Sequence, residues 1–200
     1  MKKTTPEINL GEFQGCKKDE SRVSGHHIPG WMQDIELYWL EEQAKFYDTI
    51  VEIGSWKGRS SYALASNCEG KVYCVDHYQG GYSDTYSVNG DEKAKKEFLK
   101  HMRPFLKSGK ATLLEMTSEE AAAKCDGRVD MVFIDGAHDY ASVKKDIMAW
   151  LPNTRLLMCG HDYDVEDVKK AVDEIFGKAV VKGFGNIWCV ETAQGVSRVD

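Results

Sequence analysis

Five short stretches set acids, hydroxyls and imidazoles directly behind apolar runs: Gly54-Ser55-Trp56-Lys57-Gly58, Asp76-His77, Ser118, Asp135-Gly136-Ala137-His138-Asp139 and His161-Asp162. The first is spelled VEIGSWKGRSS, with Glu52 near the end of its apolar run and Gly54 and Gly58 in the turn. A dinucleotide turn needs G-x-G-x-x-G, and Trp56 occupies the place of its second glycine. A phosphate loop needs G-x-x-x-x-G-K-[ST], which Gly54 to Arg59 does not supply. What remains is E-x-G-x-x-x-G, a close backbone approach beside a carboxylate. Such a turn suits a ligand with a cationic centre or free amine better than a diphosphate. A plain strand-to-helix turn, with glycines serving geometry alone, is the competing reading. Asp76 ends the next apolar run, where an acid commonly accepts hydrogen bonds from the two ribose hydroxyls of an adenosine-containing ligand.

These residues need a scaffold that gathers run ends. TIVEIG, KVYCVDH, ATLLEM, VDMVFIDG and TRLLMCG have strand length and apolar character. Between them lie helical patterns: GRSSYALAS; Asp91 to Leu106 with Ala94, Phe98, Met102 and Phe105 on one face; TSEEAAAKC, with Thr117 or Ser118 as cap; and Tyr140, Val143, Ile147 and Trp150. A helix from Gln33 to about Phe46 precedes them. Another, marked by Val165, Val168, Val172 and Ile175, follows and closes at Gly177. Alternation of this kind predicts an α/β fold with a mostly parallel sheet covered on both faces. KAVVKG and NIWCVET, joined by glycine-rich turn chemistry, predict a terminal hairpin and one reversed strand. In such a sheet ligands bind beyond the carboxyl ends of the strands, so all five stretches fall on one predicted edge.

The 200 residues suit one domain, expected at 31–200 behind an N-terminal tail and substrate-side loop at 1–30. A net charge of −6 argues against nucleic acid as the main partner. Six scattered cysteines form no C-x-x-C pair and are expected as reduced, structural thiols. With neither an apolar leader nor a membrane-length run, a cytoplasmic location without membrane contact is expected.

Together VEIGSWKGRSS, the acid of VYCVDHY, VDMVFIDGAHDY and the later GHDY resemble the class I S-adenosylmethionine-dependent methyltransferases. More narrowly they are similar to the small group related to macrocin and sugar O-methyltransferases and to cephalosporin hydroxylase-like proteins. The resemblance runs from about residue 28 to 191. It implies a Rossmann-like seven-stranded sheet of order 3-2-1-4-5-7-6, with strand 7 antiparallel. It also implies that Glu52, Gly54, Ser55 and Gly58 lie under the methionine end of S-adenosylmethionine. Asp76 would take the ribose, Ser118 the adenine amine, and Asp135 would border the cofactor, with His77 beside the adenosine. Some relatives hold a divalent ion at positions matching Asp135, His161 and Asp162. A His-Asp pair in place of two acids weakens magnesium and favours manganese, iron or zinc.

The resemblance implies an acidic base two residues after Asp135, but Ala137 stands there. His138 or Asp139 would then take the proton, or His161 would do so without metal. The candidate catalytic set is therefore His138, His161 and Asp135. The expected reaction is O-methylation of a hydroxyl on a small, sugar-like acceptor. SGHHIPGWM and HYQGGYSDTYS would form its pocket, with Trp31, Tyr78, Tyr82 and Tyr86 as stacking surfaces or a self-packed lid. A nicotinamide-dependent oxidoreductase and a non-catalytic S-adenosylmethionine-binding protein are the alternatives. Oligomeric state stays open.

Overall fold

The computed structural model describes residues 23–80 and 92–192. Among these residues the seven strands are β1 (Thr49–Ile53), β2 (Lys71–Val75), β3 (Ala111–Leu114), β4 (Val129–Ile134), β5 (Thr154–Gly160), β6 (Val181–Lys182) and β7 (Trp188–Glu191). They form one sheet of order β3-β2-β1-β4-β5-β7-β6. The first five run parallel, while β7 is antiparallel to β5 and β6, so the terminal hairpin is present. Apart from the buried acids Glu52 and Asp130, strands β1 and β4 are apolar on both faces, as strands covered on both sides must be. The one charged residue within β1, Glu52, is fully buried.

Two cores sandwich the sheet. On one face α1 (Asp34–Ala44), α2 (Arg59–Asn67) and α3 (Glu92–His101) bring Leu37, Leu64 and Phe98 onto Ile50, Cys74 and Phe133. On the other α5 (Ser118–Ala123), α6 (Tyr140–Trp150) and α7 (Glu166–Phe176) bring Ala121, Ile147 and Val172 onto Val51, Val132 and Met158. The helix expected over Asp91–Leu106 is broken in two, α3 and then α4 (Arg103–Ser108), with Met102 between them. Pro104 explains the break, since it has no N–H for the preceding turn and fits only a first turn. In α5 the cap is Thr117, paired with Glu120 in a capping box. Cys68, Cys74, Cys125, Cys159 and Cys189 carry free thiols. Among the described residues no helix is long and apolar enough to cross a membrane.

Register decides what the edge presents. Ile53 pairs with Val75 on one side and Ile134 on the other, and Ile134 pairs with Gly160. One step further along each strand, Asp76, Gly54, Asp135 and His161 therefore stand in a row. Backbone bonds extend the ladder to this row: Gly54 N–H to Val75 O at 2.9 Å, Asp135 N–H to Ile53 O at 2.8 Å, and His161 N–H to Ile134 O at 3.0 Å. Neighbouring strands lie ~4.8 Å apart, so side chains from this row can converge on one ligand. Between β1 and β4 the strand order reverses, which opens the crevice.

Candidate active site

The glycine turn is organised around Glu52. Its side chain, on the same face as Ile50, meets the Ser61 hydroxyl of α2, while its other oxygen has no hydrogen-bond partner. Burial pushes the carboxyl up from 4.5 to about 7, against the pull of the hydroxyls of Ser60, Ser61 and Ser55. Between those values the folded chain holds a proton that the unfolded chain has released, so stability falls as pH rises through the window. Above about 7 the full penalty, about 3 kcal/mol, is in place. Replacing Glu52 with glutamine is expected to raise the melting temperature at pH 8 by on the order of 5 °C. Calorimetry at pH 5 and pH 8 checks this, and an unchanged slope of stability with pH would refute it.

Gly54 has φ +86°, and a Cβ there would sit 2.1 Å from the Asp135 carbonyl oxygen. Its missing side chain therefore serves the β4 turn as well as any ligand. Gly58 caps α2 and packs beneath Met102 and Phe98. Trp56, at φ 41°, donates its N–H to Asp76 Oδ2 at 2.8 Å, and Tyr78 donates its N–H to Oδ1 at 2.8 Å. Asp76 thus accepts one backbone N–H on each carboxylate oxygen. Tyr78 is buried, its hydroxyl donating to the Trp56 carbonyl at 3.1 Å, so it is a support of the turn and not an exposed ring. Trp31 is 77% exposed and stacks on Trp56 at 4.4 Å. It reaches there because Arg59 ties the 23–33 segment to α2, donating to the carbonyls of His26, Ile28 and Met32 and to Asp34. Tyr82 and Tyr86 lie outside the described residues.

Ser118 is buried at the start of α5. Its oxygen accepts the Trp150 indole N–H at 3.1 Å, and it also hydrogen-bonds Asp146. Asp146 is pushed up to about 6, chiefly by burial, and its Oδ2 approaches the β4 turn at Gly136. His77 accepts the Gln79 N–H on Nδ1 at 2.9 Å.

The second half of the edge is a knot of charge. His161 is 8% exposed, and its Nδ1 lies 3.1 Å from Asp162 Oδ1 and 3.7 Å from Asp135 Oδ1. Its Nε2 lies 3.0 Å from Glu36 Oε2, a residue of α1 that no sequence signal singled out. Burial alone would strip the His161 proton, but Asp162, Glu36 and Asp135 outweigh it and hold the pKa up, to about 11. Asp162, at φ 57°, also meets His138 Nε2 at 2.9 Å. Burial opposes its charge, yet His138 and His161 keep its carboxyl well below the usual range. Asp135 is pushed up to about 6, first by burial, with His161 pulling down and Asp162 pushing up. One donor atom each from Asp135, His161 and Asp162 fall within 4.8 Å of one another, as a shared cation requires. Two carboxylates and an imidazole whose far nitrogen faces a third carboxylate fit a divalent ion.

A sheet of this order with its last strand reversed, carrying a glycine turn and an acidic row on its carboxyl edge, has the architecture of the class I S-adenosylmethionine-dependent methyltransferases. The chain belongs to the methyltransferase domain family, whose model matches residues 51–163. Solved structures agree on the fold. The O-methyltransferase from Bacillus cereus in complex with S-adenosylhomocysteine superposes with a TM-score of 0.61 at 13% identity, covering 82% of this chain and 84% of that one. The O-methyltransferase TomG from Streptomyces achromogenes, involved in tomaymycin synthesis and in complex with S-adenosylmethionine, gives 0.61 at 12% identity, covering 88% and 91%. By sequence, protein y4gI of Sinorhizobium fredii is 28% identical over 126 residues, 59% of this chain. The match spans 13% of that protein's length.

Proposed function

We propose that this chain transfers the methyl group of S-adenosylmethionine to a hydroxyl of a small, sugar-like acceptor, with a divalent ion held by Asp135, His161 and Asp162. The observation that carries the reading is the row Asp76, Gly54, Asp135 and His161, which sets a turn fit for an amine-bearing ligand against a cation-binding cluster. Glu52, Gly54, Ser55 and Gly58 would hold the aminoacyl end, Asp76 the ribose, and Ser118 the adenine side, with Asp135 on the boundary. S-adenosylmethionine, when bound, supplies an electrophilic methyl carbon, and the ion supplies charge stabilisation for an alkoxide-like oxygen. What the chain contributes is alignment, because in-line placement of acceptor oxygen, methyl carbon and sulfur supplies much of the rate. His161, with carboxylates facing both ring nitrogens, acts as a ligand and not as the base. His138, at 41% side-chain exposure and beside Asp162, is the group that takes the acceptor proton. Trp31 on Trp56 offers the acceptor a flat face.

The test is calorimetric titration with S-adenosylhomocysteine and with manganese, followed by methyl transfer to a panel of hydroxylated sugars and phenols. Asp76→Ala should weaken S-adenosylhomocysteine at least tenfold, and His138→Ala should slow transfer 10²- to 10⁴-fold with little change in cofactor affinity. Binding of the cofactor that ignores Asp76→Ala would sink the proposed pose. Tight cofactor binding with no transfer to any acceptor would favour the non-catalytic alternative.

A further inference from the structure

Glu36 is placed as few helix-start acids are. It closes a capping box at the start of α1, accepting the Gln33 N–H on Oε2 at 2.7 Å. The same job on α5 is done by Glu120, which lies exposed. Capping therefore does not require burial, yet Glu36 is 1% exposed. Its other oxygen accepts the Asn186 N–H at 2.8 Å from the β6–β7 turn, where a Cβ on Gly185 would meet Oε1 at 2.2 Å. The remaining contact is the ion pair to His161 Nε2, which is not an in-line hydrogen bond. One carboxylate is thus clamped by two backbone donors and aimed at the far side of the imidazole whose Nδ1 faces Asp135 and Asp162.

We propose that Glu36 is a positioning residue of the divalent-ion site: its charge, 3.0 Å from Nε2, favours the His161 proton on that nitrogen, leaves Nδ1 as the third donor, and so makes the site select a transition ion such as manganese over magnesium. The inference rests on the metal-assisted reading above. A carboxylate behind a ligating histidine fixes its tautomer and orientation, and loss of such a partner typically costs 10- to 100-fold in metal affinity. Magnesium takes oxygen donors in near-octahedral geometry, whereas imidazole suits the later divalent ions.

The experiment measures manganese binding to the full chain by electron paramagnetic resonance, with magnesium as competitor. Glu36→Gln keeps the shape and removes the charge, but its single carbonyl oxygen serves only one of the two backbone donors. It is expected to weaken manganese 10- to 100-fold and to lower the melting temperature by a few degrees, leaving S-adenosylhomocysteine affinity near that of the wild type. His161→Asn should reduce the preference for manganese over magnesium, and adding Glu36→Gln to it should weaken manganese no further. A wild-type chain that binds no manganese would remove the metal reading itself. Tight wild-type binding that Glu36→Gln leaves unchanged, or weakens equally in the His161→Asn background, would overturn the role of Glu36 alone. Should Glu36→Gln fold poorly, an unchanged ion preference in His161→Asn overturns the selectivity claim by itself.

Discussion

Replacing Gly54 with alanine should cost about 3–5 kcal/mol of stability and abolish cofactor binding within measurable range. Two effects add at this position. The backbone is at φ +86°, a conformation that an L-side chain adopts at a cost of roughly 1–2 kcal/mol. The new methyl would also meet only backbone: Asp135 O at 2.1 Å, Asp135 C at 2.6 Å and Gly136 Cα at 2.7 Å. Backbone cannot rotate aside as a side chain can, so the β1 and β4 turns must part at the switch point where the ligand is proposed to lie. For a chain of 200 residues the melting temperature should fall by roughly 10 °C or more. S-adenosylhomocysteine affinity should drop more than 100-fold. Gly109→Ala is the control, because Gly109 has φ +75° with nothing within 4 Å of its Cβ position. It should show the conformational cost alone, about 1 kcal/mol, and unchanged binding. A Gly54→Ala chain that melts and binds like the control would show that the two turns are not in contact as described.

Asp135→Asn should be the most damaging conservative change to the chemistry. Asp135 stands in the middle of the row, beside Gly54 on one strand and 3.7 Å from His161 Nδ1 on the next. Asparagine keeps its shape and removes its charge. If the cluster holds an ion that stabilises the acceptor oxygen, the rate should fall on the order of 10³-fold, about 4 kcal/mol in the barrier. S-adenosylhomocysteine affinity should change less than tenfold. Stability should move the other way at alkaline pH. Burial holds the Asp135 pKa at about 6, above its ordinary 3.8, so the ionised side chain destabilises the fold once pH passes that window. The variant should therefore be at least as stable as the wild type at pH 8. Methyl-transfer rates within tenfold of the wild type would remove Asp135 from the chemistry, and lower stability at pH 8 would contradict the assigned cause of its pKa.

Much of this site was legible in the chain because strand ends announce themselves. An apolar run that stops at Glu52-Ile53-Gly54, at Val75-Asp76, at Ile134-Asp135 or at Gly160-His161 marks both the strand and the edge residue. These four stops point to one edge once the strands are read as parallel. The helix break at Met102 was missed because the periodic face of Ala94, Phe98, Met102 and Phe105 continues through it. Tyr78 looked exposed within a polar, aromatic loop, yet it folds back under the glycine turn. The partnership of Ser118 with Trp150 and Asp146 depends on how α5 and α6 pack, which periodicity reports only as two apolar faces.

What the sequence determined by itself is the class of sheet and the identity of its edge. Hydrophobic period and glycine placement are local properties, and they select strands, turns and the residues that follow them. What only the tertiary structure decided is which groups meet. Glu36 reads in the sequence as an ordinary acid in the first turn of a helix, far from His161 along the chain. It becomes the partner of that histidine because α1 packs against the sheet and the β6–β7 turn clamps the carboxylate from the other side. Gly54 likewise reads as a ligand-facing glycine, and only the register of β1 against β4 reveals that Asp135 occupies the space a side chain would need. A charge or a missing methyl carries no record of its distant neighbour, since that neighbour is chosen by packing and not by spacing.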